Sequence, residues 1–357
     1  MEMTLRWFGE NQDTVTLQQI SQIPGVSGVI SCLYEIPAGE PWPLEEVLKL
    51  KKQVEDHGLK LTGIESINVH EDIKLGTPDR DRLIENYKIS LENVGKAGIH
   101  LVCYNFMTVF DWTRTGLAYP LPDGSTTMVY ENNMIEGLKP SDMFEYMEKN
   151  SNGFEMPGWE ESRREELKTL FERYNDMTKE KLKENFKYFL DAIMPVCEKY
   201  DIKMAMHPDD PAWSIFGLVR IATSEEDLVE IASLHPSKLH GFTLCTGSLG
   251  SNRNNDIPKI IRNPIIAERI HFAHIRNMKH LDNGDFYECG HVSECGSFDM
   301  YEIVKALVDA GFDGVVRPDH GRMIWGENAR PGYGLYDRAL GATYLCGLFE
   351  AIKKNRR

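Results

Sequence analysis

The chain of 357 residues lacks the features that would tie it to a membrane, a nucleic acid or a disulfide scaffold. No uncharged apolar run approaches the roughly 18 residues of a membrane span. The longest candidate, Ile99–Phe110, is short and contains Asn105. Met1–Asp13 has no basic stretch followed by an apolar one, so no secretory leader is expected. The seven cysteines are odd in number and scattered, unlike a disulfide framework, and point to a reducing cytoplasm. Positive charge is scarce as well. With 40 basic against 55 acidic residues the net charge is −15, which argues against nucleic acid as a partner. An acidic surface keeps a protein soluble but says little about its small ligand. An anionic substrate would need local cations or a metal.

What is present is the composition of a soluble enzyme, 41% hydrophobic and 27% charged. Short β-branched runs alternate with longer amphipathic segments. The strand-like runs are Leu5–Phe8, Gly28–Leu33, Leu59–Ile64, Ile99–Phe106, Lys203–His207, Gly241–Cys245, Ile270–Ile275 and Gly314–Val316. Helical patterns occupy Leu44–His57, Asp79–Ala97, Arg163–Lys199, Ser224–Ala232, Met300–Ala310 and Asp337–Lys353, and Ser224 with Asp227 forms a capping-box pattern. Eight such alternations predict an α/β fold, a closed (β/α)8 TIM barrel. An open doubly wound sheet fits less well, because Phe8-Gly9-Glu10-Asn11 carries no phosphate-binding glycine turn after the first run. The 104 residues from Cys103 to His207 break the rhythm. The surplus, about 107–159, is rich in Gly, Pro, Asn and Asp and weakly periodic. It reads as an insertion after strand four with no core pattern of its own, in a single domain spanning 1–357.

The chemistry is concentrated at the ends of the last four runs. They deliver His207, Cys245, His274 and Asp319, and in a parallel barrel these ends converge on the face where catalysis sits. One His or Cys at a strand end is usually a packed residue; four ligand-type residues on consecutive strands point to a shared metal site. Their softness favours Zn(II) or Fe(II) over Mg(II). Cys289-Gly290-His291 with Cys295 lacks a matched fourth ligand for a structural zinc and reads as an ordinary loop after strand seven, from which His291 is expected to look into the site. Gly247-Ser248-Leu249-Gly250 reads as a tight turn. His320 and Tyr333 are candidates for acid–base work and Arg276 for binding a carboxylate. Early strand ends add Arg6, Trp7, Glu65 and Asn105.

Cys103-Tyr104-Asn105-Phe106-Met107, Asp111-Trp112-Thr113-Arg114-Thr115, Met206-His207-Pro208-Asp209-Asp210, His274-Ile275-Arg276-Asn277, Pro318-Asp319-His320-Gly321 and Pro331-Gly332-Tyr333 are specific as a set. Through them, and over essentially its whole length, the chain resembles the mannonate dehydratases of hexuronate catabolism. The resemblance implies a xylose-isomerase-like barrel in which His207, Cys245, His274 and Asp319 hold Mn(II) or Fe(II). It implies a cytoplasmic hydro-lyase that converts D-mannonate to 2-dehydro-3-deoxy-D-gluconate and water. His320 and Tyr333 match the acid–base positions, and Arg276, Arg6, Asn105, Asp209 and His291 are expected around the substrate. A homodimer is expected. The alternative is a sugar isomerase or epimerase on the same barrel, against which Cys245 argues, since such barrels bind metal with carboxylates and histidines.

Overall fold

A computed structural model describes residues 1–136 and 164–355. Twelve strands are present among them: β1 (Glu2–Arg6), β2 (Val26–Ser31), β3 (Lys60–Glu65), β4 (Leu101–Tyr104), β5 (Gly116–Pro120), β6 (Thr126–Tyr130), β7 (Lys203–Met206), β8 (His240–Cys245), β9 (Ile270–His274), β10 (Met278–His280), β11 (Phe286–Glu288) and β12 (Val315–Arg317). Eight of them, β1-β2-β3-β4-β7-β8-β9-β12, form a closed parallel barrel in which β12 returns to β1. These are the eight runs expected from the sequence, and the fold is a (β/α)8 barrel. The first strand lies earlier than the run Leu5–Phe8, because Trp7 and Phe8 are apolar for a different reason. Trp7 packs into the main core, and Phe8 lines the cavity above the barrel.

Inside the barrel Ile30, Leu101, Cys103, Ala205 and Phe272 pack against one another, while the outward strand faces and the helices share one large apolar core. The expected single helix Arg163–Lys199 is two helices, Arg164–Arg173 and Lys179–Tyr200. Thr178 starts the second one, its hydroxyl accepting from Lys181 N at 3.1 Å. Ser224 caps helix Glu225–Ser233 by accepting from Asp227 N. The reciprocal half of the expected box is missing, since the Asp227 carboxylate takes Thr223 N and Oγ1 instead.

The segment after β4 has more structure than its composition suggests. Residues 137–159 of the expected insertion lie outside the described residues, but its first part supplies β5 and β6. These join β11 and β10, from the connection after β9, in an antiparallel sheet of order β10-β11-β6-β5. Tyr130 on β6 stacks on Phe286 of β11 with ring centroids 5.3 Å apart. Val109, Phe110, Leu117 and Met128 form a second apolar cluster with Leu167, Leu170, Tyr174 and Leu218. The expectation of no core pattern is therefore corrected. Half of that core comes from distant segments, which local periodicity cannot register. The sheet stands on the carboxyl-terminal side of the barrel and positions Glu288 there. Among the described residues, no helix is long and apolar enough to cross a membrane.

Candidate metal and acid–base site

Barrel register brings the strand ends together. Cys245 and Arg317 are both paired with His274 across the ladder, and His207 follows β7 directly, its N–H donating to Tyr104 O at 2.7 Å. Ligand-type atoms of His207, Cys245 and His274 all lie within 4.8 Å of one another. Asp319 stands two residues beyond β12, so it shares the inward face of Arg317. Its φ of +58° turns the chain at that point, a conformation that Asp tolerates better than most residues. Its carboxylate lies 3.6 Å from both Cys245 Sγ and His274 Nδ1.

The donor set fits a divalent transition metal. His207 Nδ1 donates to Pro208 O at 2.7 Å, which keeps Nε2 available as a ligand. His274 Nε2 is buried without a hydrogen-bond partner. Cys245 Sγ accepts from Ser248 N and Oγ at the start of helix Thr246–Ser251. Gly247-Ser248-Leu249-Gly250, expected as a tight turn, is part of that short helix. Gly247 is glycine for a steric reason: a Cβ there would stand 2.4 Å from the Arg276 guanidinium carbon. A second group, Glu65, Cys103 and His274, also comes within metal distance. In it Glu65 is held by Arg6 and Arg317 and Cys103 Sγ accepts from Thr243 Oγ1, much as Asp319 is held by Arg276 and Arg317 and Cys245 Sγ accepts from Ser248 Oγ.

A buried charge network surrounds these residues. Glu65 bridges Arg6 and Arg317, Arg317 reaches Asp319 at 2.7 Å, and Asp319 accepts from Arg276 Nε at 2.7 Å. Arg276 continues to Glu288 (2.7 Å) and Asp210 (2.6 Å), and Arg114 spans the same two carboxylates at 2.8 Å. Burial pushes all four carboxyls up, but the guanidinium and imidazole charges outweigh it. They hold Glu65, Asp210 and Asp319 below the usual carboxylate range and bring Glu288 down to about 2. Four arginines thus balance four carboxylates. Lone buried ions would be prohibitive here, and pairing is what keeps these charged.

The network ends on a hydrogen-bonded chain of Glu288, His320 and Tyr333. His320 Nδ1 lies 2.9 and 2.8 Å from the two Glu288 oxygens, and Nε2 lies 3.0 Å from Tyr333 Oη. A carboxylate can only accept, so Nδ1 carries the proton facing Glu288, and Nε2 is left to accept from the phenol. Burial is the main cause that pushes the Tyr333 phenol up, so it is a neutral donor at ordinary pH. His320 and Tyr333, with His207 and Asp319, line a cavity of about 1210 Å³, ample for a hexose-sized molecule.

Several residues expected at a substrate stand elsewhere or are already engaged. Arg276 lines the cavity, yet each guanidinium nitrogen already donates to a carboxylate, so it is an organiser of the network rather than a free anion binder. Asp209 does not line the cavity; its carboxylate takes the N–H groups of Ile221 and Ala222, while its neighbour Asp210 faces the site. His291 is also behind the wall, with Nε2 2.5 Å from Pro318 O and its ring packed against Gly341. Arg6 and Asn105 do line the cavity, Arg6 donating to Tyr34 Oη and Asn105 to Asp111. Sequence reasoning missed Glu288 altogether, and no local pattern marks it. Arg114 and Asp210 appeared only inside longer motifs.

Comparison with known proteins gives a consistent set of relatives. The family model described as D-mannonate dehydratase (UxuA) matches residues 1–357. The mannonate dehydratase of Thermotoga neapolitana is 58% identical over 354 residues, covering 99% of this chain and 98% of that protein. The crystal structure of mannonate dehydratase from Streptococcus suis serotype 2 superposes with a TM-score of 0.89 at 45% identity, covering 100% of this chain and 94% of that one. A xylose isomerase domain protein from Planctomyces limnophilus shares the fold alone, with a TM-score of 0.57 at 11% identity over 99% of this chain and 98% of its own.

Proposed function

The chain belongs to the D-mannonate dehydratase family, and from that premise we propose that it is a hydro-lyase converting D-mannonate to 2-dehydro-3-deoxy-D-gluconate and water in hexuronate breakdown. The observation that carries the mechanism is His320 held between Glu288 and Tyr333 at the mouth that also gathers His207, Cys245 and His274. In this reading His207, Cys245, His274 and Asp319 hold Mn(II) or Fe(II). Such an ion supplies a Lewis acid that stabilises negative charge developing next to the substrate carboxylate. All seven cysteines are free thiols, in keeping with a reducing cytoplasm. The proposal treats the chain as one domain acting as a homodimer, which the mass in solution checks.

The chain's own groups account for the proton movements. The reaction removes the proton on C2 and expels the hydroxyl on C3, leaving an enol that becomes the 2-keto acid by protonation at C3. His320 Nε2 is the base for C2. Glu288 stabilises the imidazolium that results and fixes the ring so that Nε2 faces the cavity. Tyr333, kept neutral by burial, is the acid for the departing C3 hydroxyl. Their 3.0 Å contact then lets the imidazolium return its proton to the phenolate, restoring both groups. Arg6 and Asn105 line the same cavity and are assigned to substrate hydroxyls.

The test is chelated enzyme with single divalent metals restored and D-mannonate added. A 2-keto-3-deoxy acid, strongest with manganese or iron, is the expected product. A ketose or an epimer would replace this reading with the isomerase one.

A further inference from the structure

All four arginines of the charge network are already paired with carboxylates, so none of them is left to take the carboxylate of a sugar acid. The remaining cations of the cavity wall are engaged in the same way. Lys74 pairs with Glu71 at 2.7 Å and also donates to Met107 O, and Arg173 pairs with Asp72. Arg330 is different. It lines the cavity and is half-buried, and no carboxylate partners it among the described residues. Its guanidinium carbon lies 4.3 Å from the centroid of the Phe8 ring. The same ring stands edge-to-face with Tyr333, centroids 4.7 Å apart. Arg330 O accepts from Tyr333 N at 2.8 Å, so one tight turn carries both residues.

We infer that Arg330 is the cation that receives the carboxylate of the sugar-acid substrate, the role the sequence pattern suggests for Arg276. The Phe8 face holds the guanidinium carbon, and among the described residues no carboxylate takes its N–H groups, which suit paired recognition of a carboxylate. The same turn carries Tyr333, so the carboxylate site and the acid group stand side by side on one short segment. Arg330 is therefore a specificity-determining residue. It selects aldonates over uncharged aldoses and polyols of the same size. This rests on the sugar-acid reading above.

The experiment compares wild type, Arg330→Gln and Arg330→Lys, all with metal content measured. Steady-state rates on D-mannonate are combined with calorimetric binding of D-gluconate, a carboxylate, and D-mannitol, its uncharged counterpart. Arg330→Gln is expected to raise KM about 10- to 100-fold and weaken D-gluconate by a similar factor, the usual range for losing a charge-assisted pair. In that variant kcat changes far less and D-mannitol binding does not change. Arg330→Lys should recover part of the loss. Unchanged KM and D-gluconate binding in Arg330→Gln would overturn the assignment, and so would equal weakening of D-mannitol. Failure of wild type to turn over D-mannonate would instead overturn the function, while the two binding measurements would still decide Arg330.

Discussion

His271 and His274 lie three residues apart on β9 and occupy opposite chemical worlds. His274 shares the inward face with Phe272, the ring centroids 4.4 Å apart, and reaches Cys245, Asp319 and Glu65 at the carboxyl-terminal mouth. His271 points the other way, near the start of the strand. Burial pushes it down to about 3, and a Cβ on Gly241 would stand 2.4 Å from its Nε2. His240, which opens β8, is similar: burial brings it down to about 4, and its Nε2 bonds to Ile231 O at 3.0 Å. The residue type is the same throughout. Which end of a parallel strand it occupies decides whether a histidine packs or meets other ligand-type groups.

The largest expected effect comes from the mouth. Cys245→Ser should lose most of its bound metal and its activity while keeping the fold; full metal occupancy by elemental analysis would remove Cys245 from the site. Tyr333→Phe should keep metal and substrate but lose about 10²- to 10⁴-fold in kcat, the usual share of a general acid. A near-normal rate would deny it the proton transfer. Glu288→Gln should lower kcat about 10- to 100-fold, as the loss of an orienting partner does. Its pH–rate profile should also shift, whereas a purely structural Glu288 would lower the melting temperature and leave the profile of the folded enzyme alone.

The smallest effect belongs to the other end. His240 has a folded pKa below its ordinary value of about 6.5. The unfolded chain therefore binds the extra proton, and stability present above pH 6.5 is lost as the pH falls towards 4, by on the order of 3 kcal/mol in all. A urea series between pH 7 and 4.5, where most carboxylates are still ionised, should show this slope in wild type. The slope should shrink in His240→Asn; an unchanged slope would mean that His240 is not buried as the neutral form.

Much of this was legible before any coordinates. The eight strands announce themselves as β-branched runs, and the ligand-type residues stand at their ends because a barrel aligns those ends. The illegible parts are relations between distant segments. Glu288 lies on a three-residue strand whose partner β6 is more than 150 residues away, and it matters only because Arg114, Arg276 and His320 meet it. Asp209 and Asp210 are indistinguishable as letters, and backbone direction alone sends one to Ile221 N and the other to Arg276. Arg276 looked like an anion binder because a sequence cannot display the three carboxylates that already hold it. The break before Thr178 was hidden by helix formers on both sides.

One measurement bears on the contrast between the two ends most directly: the metal content of folded His274→Gln beside that of folded His271→Gln, each loaded with Mn(II) and dialysed. The account predicts wild-type stoichiometry in His271→Gln and a large loss in His274→Gln. Equal metal in both would contradict it.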